Sequence, residues 1–385
     1  MTTTNIDFAQ PDVAPTTPMP QGEPVKVMIV TDAWEPQVNG VVRTLSTTIR
    51  LLAERGVRVQ VISPDQFWSV PMPSYPEIRL AMTTQRRIGK QIRAFTPDAL
   101  HIATEGPLGW HARGWALRQG MAFTTSFHTR FPDYVSARIG INPERVWRVL
   151  RRFHGAASAV MVATPRLADE LASHGITQTR LWSRGADVDQ FRPDAPPHPV
   201  YAGLKRPVAL HVGRVAVEKN IEAFLSAPWA GDKLVVGDGP ALDALQRKYP
   251  SAHFLGALHG PALASAYAGA DVLAFPSRTD TFGLVMIEAL ASGTPVAGYP
   301  VPGPLDVVGQ GGFGPDGRAP GRIGAVAHDL GEAMRAALSA RRADCVAHGR
   351  RYAWDGCVDQ FLAALVTGDG QPVPWLPAPG LQMVA

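Results

Sequence analysis

The chain alternates short, almost uninterrupted apolar runs with longer segments of mixed polarity. In the first half the segments read as strands are Val25-Lys-Val-Met-Ile-Val-Thr31, Val57-Arg-Val-Gln-Val-Ile62, Asp98-Ala-Leu-His-Ile102, Phe123-Thr-Thr-Ser-Phe127 and Ala159 to Ala163, of which Val57–Ile62 and Phe123–Phe127 also carry polar residues. Val208-Ala-Leu-His-Val-Gly213, the start of Leu234-Val-Val-Gly-Asp-Gly-Pro240, Val272 to Phe275 and the run opening at Pro295-Val296 follow in the second half. Apolar runs without alternation mark strands buried on both faces, as in a parallel sheet covered by helices. Helical patterns lie between them: about Val42 to Glu54 with a stop at Gly56, Pro143 to His154, Pro165 to His174, and Leu284 to Ala291 with a stop at Gly293. Arg79 to Ala94 reads as a further helix, carrying Arg86, Arg87, Lys90 and Arg93. Strand, glycine-bearing loop, helix and strand make a βαβ unit, which predicts α/β architecture with doubly wound parallel sheets.

At 385 residues the chain can bury two such cores. Residues 1–23, rich in Thr and Pro, read as a disordered tail, and 24–191 as a first domain. Pro-rich 192–206 reads as a linker, 207–345 as a second domain, 346–366 as a last helix and 367–385 as a frayed tail. The N-terminus lacks a basic start and apolar core, and no run approaches the length of a transmembrane helix, so neither a signal peptide nor a span is expected. Two cysteines, Cys345 and Cys357, fit a reducing cytoplasm. A net charge of +4 is mild and by itself fits anionic ligands, anionic lipid or nucleic acid alike.

The chemistry concentrates between Ala270 and Pro304. Asp280 stands just before a helix and Glu288 about two turns further on, on the order of 10 Å away along the axis at ~1.5 Å per residue. That separation suits a ligand with two polyhydroxylated ends. Between the acids, the N–H groups of Thr281, Phe282 and Gly283 form a helix start, a seat for phosphate. Arg214 and Lys219 follow the strand ending at Gly213 and can hold a diphosphate from two sides, one as a fork and one as a movable point charge. Taken singly, each has a plainer reading: Asp280 as a cap, Glu288 and the cations as solvated surface charge, Gly40 as a tight turn, His128 as a satisfied polar group at a strand end. Asn39-Gly40-Val41-Val42 lacks the G-x-G-x-x-G of dinucleotide sites, and Leu234–Pro240 fails at the third glycine. Asp187-Val-Asp189 has the form of a metal-bridging D-x-D, but it sits at a sheet end just before the Pro-rich segment, and no metal is expected there.

Asp280-Thr-Phe-Gly-Leu-Val-Met-Ile-Glu288 resembles the acid-x7-acid motif of retaining glycosyltransferases of family four, with Asp where many relatives carry Glu. Gly213-Arg-Val-Ala-Val-Glu-Lys219 resembles that family's G-R-x-x-x-E-K segment, T-D-A-W-E-P-Q-V-N-G-V-V-R-T its glycine loop, and S-F-H-T-R-F-P the segment whose His lies beside the donor sugar. The resemblance covers about Val25 to Val366 and implies a GT-B fold: two Rossmann-like, doubly wound parallel-sheet domains facing a cleft, with the last helix crossing back to the first domain. It also implies roles. Arg214 and Lys219 neutralise the leaving diphosphate, Asp280 orients the sugar, Glu288 holds the ribose, His128 touches the sugar, and Gly40 lets backbone approach the ligand. The amides of Thr281, Phe282 and Gly283 complete the phosphate seat. No metal and no cofactor are implied, the donor being a nucleotide-diphosphate sugar.

The same glycine loop and S-F-H-T-R-F-P-D-Y resemble bacterial enzymes that glycosylate membrane lipids such as diacylglycerol, and mannosyltransferases using GDP-mannose. The expected function is therefore metal-independent, retaining transfer of a hexosyl unit to a membrane lipid. The alternatives are a GDP-mannose-dependent alpha-mannosyltransferase acting on lipid or glycan, a nucleotide-sugar epimerase, and a sugar binder without turnover. On Pro143–His154, Val146, Val149, Leu150 and Phe153 form one stripe and Arg145, Arg148 and Arg152 another. Such a helix lies on anionic membrane or packs on a core with its arginines solvated. The expected partners are the sugar nucleotide, a lipid or glycan acceptor and anionic membrane, with no nucleic acid. The expected location is the cytoplasm, peripheral on the inner face of the cell membrane.

Overall fold

The computed structural model describes residues 24–37, 39–72, 75–128, 142–280 and 282–374. Two six-stranded sheets organise them, each entirely parallel. The first contains β1 (Lys26–Val30), β2 (Arg58–Ile62), β5 (Ala99–Ile102), β6 (Thr124–Ser126), β7 (Ala159–Val162) and β8 (Thr179–Leu181), in the order β2-β1-β5-β6-β7-β8. A separate antiparallel hairpin, β3 (Ser69–Met72) and β4 (Tyr75–Ala81), precedes β5. The second sheet contains β9 (Ala209–Val212), β10 (Lys233–Val236), β11 (His253–Phe254), β12 (Val272–Phe275), β13 (Val296–Gly298) and β14 (Gly324–Val326). Its order is β11-β10-β9-β12-β13-β14.

Helices α1 (Gly40–Glu54), α2 (Gln85–Phe95), α3 (Pro107–Gln119), α4 (Pro143–His154) and α5 (Pro165–Ser173) accompany the first sheet. With the second run α6 (Ile221–Ser226), α7 (Leu242–Lys248), α8 (Gly260–Gly269), α9 (Leu284–Ala291), α10 (Pro302–Val307), α11 (Leu330–Ala337) and α12 (Arg342–Gly349). A last helix, α13 (Trp354–Ala364), closes the chain. The central strands read as continuous apolar runs because both faces are covered. On β1, Met28 and Val30 pack with Ile88, Ile92 and Leu108, while Val27 and Ile29 pack with Leu45, Val358 and Phe361. Phe361 and Val358 belong to α13, so the C-terminal helix covers the first sheet.

Both sheets reverse their winding beside the first strand of the lobe, at β1/β5 and at β9/β12. Ligands of open α/β sheets bind beyond the carboxyl ends of strands at such switch points. The loops that emerge there are Thr31–Asn39 and Ala103–Gly106 in one lobe, Gly213–Asn220 and Pro276–Gly283 in the other.

Several local expectations change. Arg79 lies on β4, and the helix begins only at Gln85, where the Thr84 hydroxyl accepts the Arg87 amide. Of the expected α4 stripe, Val146, Leu150 and Phe153 do pack on the core, and Trp147 joins them in place of Val149, stacking on His174 at 3.7 Å and lying parallel to Phe127. Val149 is left exposed among Arg145, Arg148 and Arg152. Residues 192–206 are not a free tether, since Ala195 and Tyr201 lie in the second lobe's core and the Tyr201 hydroxyl donates to the Ala266 carbonyl. The chain is also held past residue 366: Thr367 bridges to Ala99, and Gly368 exchanges backbone bonds with Asp98 and Ala122.

Candidate active site

The second lobe contributes two loops. After β9 the chain turns at Gly213, and a Cβ on Gly237 would come within 1.8 Å of the Gly213 carbonyl oxygen, so glycine lets the β10 loop press against this turn. Arg214 follows, exposed. A short 3-10 turn, Val217–Lys219, then delivers Lys219 and ends at Asn220 in the left-handed conformation (φ 53°). Asn220 donates from Nδ2 to the Pro276 carbonyl at 3.1 Å, tying this loop to the one after β12.

That second loop carries Asp280, whose two oxygens accept from Lys219 Nζ at 2.6 and 2.8 Å. Both side chains are about a quarter exposed, so the pair sits at the rim of the cleft rather than in bulk solvent. Beneath it lies His211, buried, its Nδ1 3.3 Å from the Ala274 carbonyl and its Nε2 without a hydrogen-bond partner. Burial pushes its pKa down to about 4, with Lys219 adding to the depression and Asp280 opposing it.

Helix α9 begins at Leu284, so the Phe282 and Gly283 amides precede the first helical residue instead of lying within it. Gly283 is the cap at φ 92°, and a Cβ there would meet the Phe275 ring at 2.8 Å, which explains the glycine. Among the described residues no side chain caps this helix start. The Phe282 ring is buried edge-on against Tyr352, so only its backbone is available to a ligand. Thr281 lies outside the described residues.

Glu288 is not a solvated charge. It is buried on α9, accepts the Tyr267 hydroxyl on Oε2 at 2.8 Å, and pairs through Oε1 with Arg43 of the first lobe. Burial and the adjacent carboxylate raise the Tyr267 pKa well above its ordinary value, keeping that hydroxyl a donor.

In the first lobe Gly40 opens α1 behind Asn39, whose Oδ1 accepts the Val41 and Val42 amides at 3.0 Å. A Cβ on Gly40 would lie 3.7 Å from Leu284 Cδ1, an ordinary contact, which places the α1 and α9 starts opposite one another. Gly40 is absent from the residues with positive φ, so its backbone does not demand glycine. Arg166 and Thr164 bond Asp306 on α10, a second tie between the lobes.

His128 closes β6. Its Nδ1 is 2.9 Å from Arg184 Nη2. A guanidinium only donates, so Nδ1 is the acceptor and the neutral ring carries its proton on Nε2. The ring stays neutral because burial, then Arg184, His101 and His154, hold its pKa well below the ordinary value. Arg184 is itself depressed by burial to about 10 and remains a cation at neutral pH. Under this end of the sheet, His101 is bonded by Thr124 and Ser126 at 2.9 and 2.7 Å. His154 is held by Thr125 and Glu105. The segment following His128, residues 129–141, lies outside the described residues.

Asp187 spends its carboxylate on the Asp189 and Gln190 amides, and among the described residues no three His, Cys, Asp or Glu side chains cluster in a way that could hold a metal ion. No described helix is long and apolar enough to cross a membrane. Arg43, Tyr267, Arg184 and His211 were not singled out by the sequence. His211 alone carried a local signal, as the one polar residue within an apolar run ending in glycine.

The glycosyltransferase family 4 profile matches residues 38–190, and that of the glycosyl transferases group 1 matches residues 206–339. A GDP-mannose-dependent alpha-mannosyltransferase of Mycobacterium tuberculosis is 32% identical over 346 residues, covering 83% of this chain and 91% of that protein. An alpha-monoglucosyldiacylglycerol synthase of Streptococcus pneumoniae is 26% identical over 314 residues, 71% of each chain. Among solved structures, sucrose-phosphate synthase from Thermosynechococcus elongatus matches with a TM-score of 0.64 at 21% identity, over 88% of this chain and 97% of that one. Two parallel-sheet lobes meeting at their switch points, with these matches along both, make the chain a glycosyltransferase of family 4 with the GT-B fold.

Proposed function

We propose that the protein transfers a hexosyl unit, with retention and without a metal, from a nucleotide-diphosphate sugar to a membrane lipid such as diacylglycerol. The observation that carries this reading is the Lys219–Asp280 pair at the β9/β12 switch point, beside Arg214 and the α9 start. An ammonium and a carboxylate held together at a cleft rim are the two groups a sugar diphosphate needs apart. Phosphate oxygens take Lys219, and sugar hydroxyls take Asp280. In this exchange Lys219 keeps an anionic partner, and the Asp280 carboxylate keeps hydrogen-bond donors in place of its cation.

Arg214, Lys219 and the amides around Phe282 and Gly283 then face the negative charge that grows on the leaving diphosphate. His128 would meet the sugar from the opposite lobe as a neutral ring. The departing phosphate oxygen takes the acceptor's proton on the same face, and closure of the lobes keeps water out. GDP-mannose is the first donor to test, given the relative of that name, and the acceptor in that second reading is a lipid or glycan. The name of the diacylglycerol synthase supports lipid. So do the exposed arginines of α4 and the exposed basic residues Arg86, Arg87, Lys90 and Arg93 of α2. Contact with membrane would then be electrostatic, because the apolar face of α4 is spent on the core.

Incubation with GDP-mannose, UDP-glucose and related donors, with and without lipid extract, tests the reading. Free nucleotide released only with lipid supports transfer. Interconverted sugar nucleotide would make the protein an epimerase, and unchanged donor a binder. Liposomes containing anionic lipid test the surface: sedimentation unaffected by Arg148→Glu with Arg152→Glu removes α4 from the membrane contact.

A further inference from the structure

The transfer chemistry proposed for the cleft does not call on Arg43, yet this residue pairs with Glu288 across the cleft. Gly40 and Arg43 lie three residues apart on one face of α1, and Leu284 and Glu288 lie four apart on one face of α9. The helices therefore meet in two rungs, Gly40 over Leu284 and Arg43 over Glu288. The two oxygens of Glu288 are not equivalent. Oε2 accepts from Tyr267, a buried residue of the same lobe packed edge-on against Phe191, so this bond survives any parting of the lobes. Oε1 pairs with Arg43, whose side chain is 42% exposed and belongs to the other lobe. A ribose presents two neighbouring hydroxyl donors, and the carboxylate oxygen not taken by Tyr267 already carries a guanidinium.

We propose that Arg43 is a built-in competitor for the ribose diol: it pairs Glu288 in the empty cleft, is displaced when a nucleoside diphosphate binds, and returns as the spent nucleotide leaves. The inference rests on the assignment of Glu288 to the ribose. A carboxylate 2% exposed is costly to leave unpaired, and Arg43 spares it that state between turnovers. An arginine suits the task, since it stays charged at any working pH and its half-exposed side chain can swing to solvent. Arg43 is a positioning residue in this scheme. Each binding event breaks an ion pair, so nucleotide affinity is held down and product release is hastened.

Calorimetric titration of GDP, UDP and ADP into the wild type and Arg43→Ala, repeated with the 2′,3′-dideoxy form of the tightest binder, tests this. Arg43→Ala is expected to bind the ribonucleotide about fivefold more tightly, the effect of a partly exposed ion pair. The dideoxy form should bind both proteins equally, Arg43→Lys should fall between them, and a Glu288→Gln background should abolish the gain. Equal or weaker ribonucleotide binding by folded Arg43→Ala and Arg43→Lys overturns the inference while leaving Glu288 on the ribose. A wild type that binds ribo and dideoxy forms alike, or binds none of the three, removes the assignment of Glu288 and takes the Arg43 scheme with it.

Discussion

The two lobes have the same six-stranded parallel plan and the same kind of switch point, yet their cleft faces handle polarity in opposite ways. The second lobe presents charges that are already paired but exchangeable: Lys219 with Asp280 at the rim, Glu288 with an arginine from across the cleft. Besides Arg43, the first lobe presents buried imidazoles locked by neighbours. His128 is fixed by Arg184 and His101 by two hydroxyls, and burial holds both rings neutral. A ligand can take over the partners of the first kind of face, whereas the second kind offers fixed hydrogen bonds without net charge. The difference teaches which substrate goes where on a duplicated scaffold. Under the proposed function the anionic donor diphosphate would sit with the exchangeable charges, and the locked face would meet the sugar and the acceptor.

The sharpest way to break this contrast is Lys219→Ala. If the second lobe stabilises the leaving diphosphate, kcat at saturating donor falls by ~100-fold or more, the usual worth of a donor aimed at developing charge. Asp280 then loses its partner, so a thermal melt must accompany the assay. Unchanged turnover in a folded variant would take Lys219 out of the mechanism. Next in size is Glu288→Gln, which keeps the shape and the Tyr267 contact but removes the charge. It should raise the donor KM about tenfold with little change in kcat, as the loss of a charge-assisted hydrogen bond made equally in ground and transition states does. A fall in kcat at constant KM would instead place Glu288 nearer the reacting bond than the ribose.

These sites were unevenly legible. The strands were readable because burial on both faces leaves β1 and β12 as plain apolar runs, with no alternation to confuse. Asp280, Glu288, Arg214 and Lys219 were readable because a fixed spacing carries them. Their partners were not: Arg43 stands within the glycine-loop segment but, like Tyr267, meets Glu288 only through closure of the lobes and the seat of α8, a contact no local spacing encodes. One edge of the inward face of α4 was hidden for a related reason. Spacing places Val146, Leu150 and Phe153 inward but leaves Val149 and Trp147 to compete for the margin, and Phe127 and His174, outside the helix, decide for the tryptophan by stacking on it. The role of Asp32 was equally hidden. Its carboxylate caps α3 through the Leu108 and Gly109 amides, and burial lifts its pKa to about 6.

His211 sharpens the comparison further, because it is a locked neutral group placed under the exchangeable charges. Its pKa falls from 6.5 to about 4 on folding, so the unfolded chain binds the extra proton between those values. Its contribution to stability is complete above pH 6.5 and is lost as pH falls towards about 4. In His211→Phe, with the ring beside Phe224, the slope of unfolding free energy across that window should drop by about 1.4 kcal/mol per pH unit. Urea titrations at successive pH values measure it. An unchanged slope would mean that the ring is charged or solvated in the native protein.

The smallest effect separates two reasons for a glycine. At Gly40 neither a positive φ nor a steric clash requires it, since an added Cβ finds Leu284 at 3.7 Å. Alanine also has the better helix propensity and the less floppy unfolded chain. Gly40→Ala should therefore leave the melting temperature unchanged or slightly raised, a gain of about 0.4–1 kcal/mol at most. If the α1 start is instead kept bare so that a ligand can approach its backbone, the same methyl raises a substrate KM while the protein grows no less stable. A variant that melts earlier would return Gly40 to an ordinary turn. One that is stable and kinetically silent would show that the first lobe's contact with substrate begins elsewhere, at His128 or beyond it.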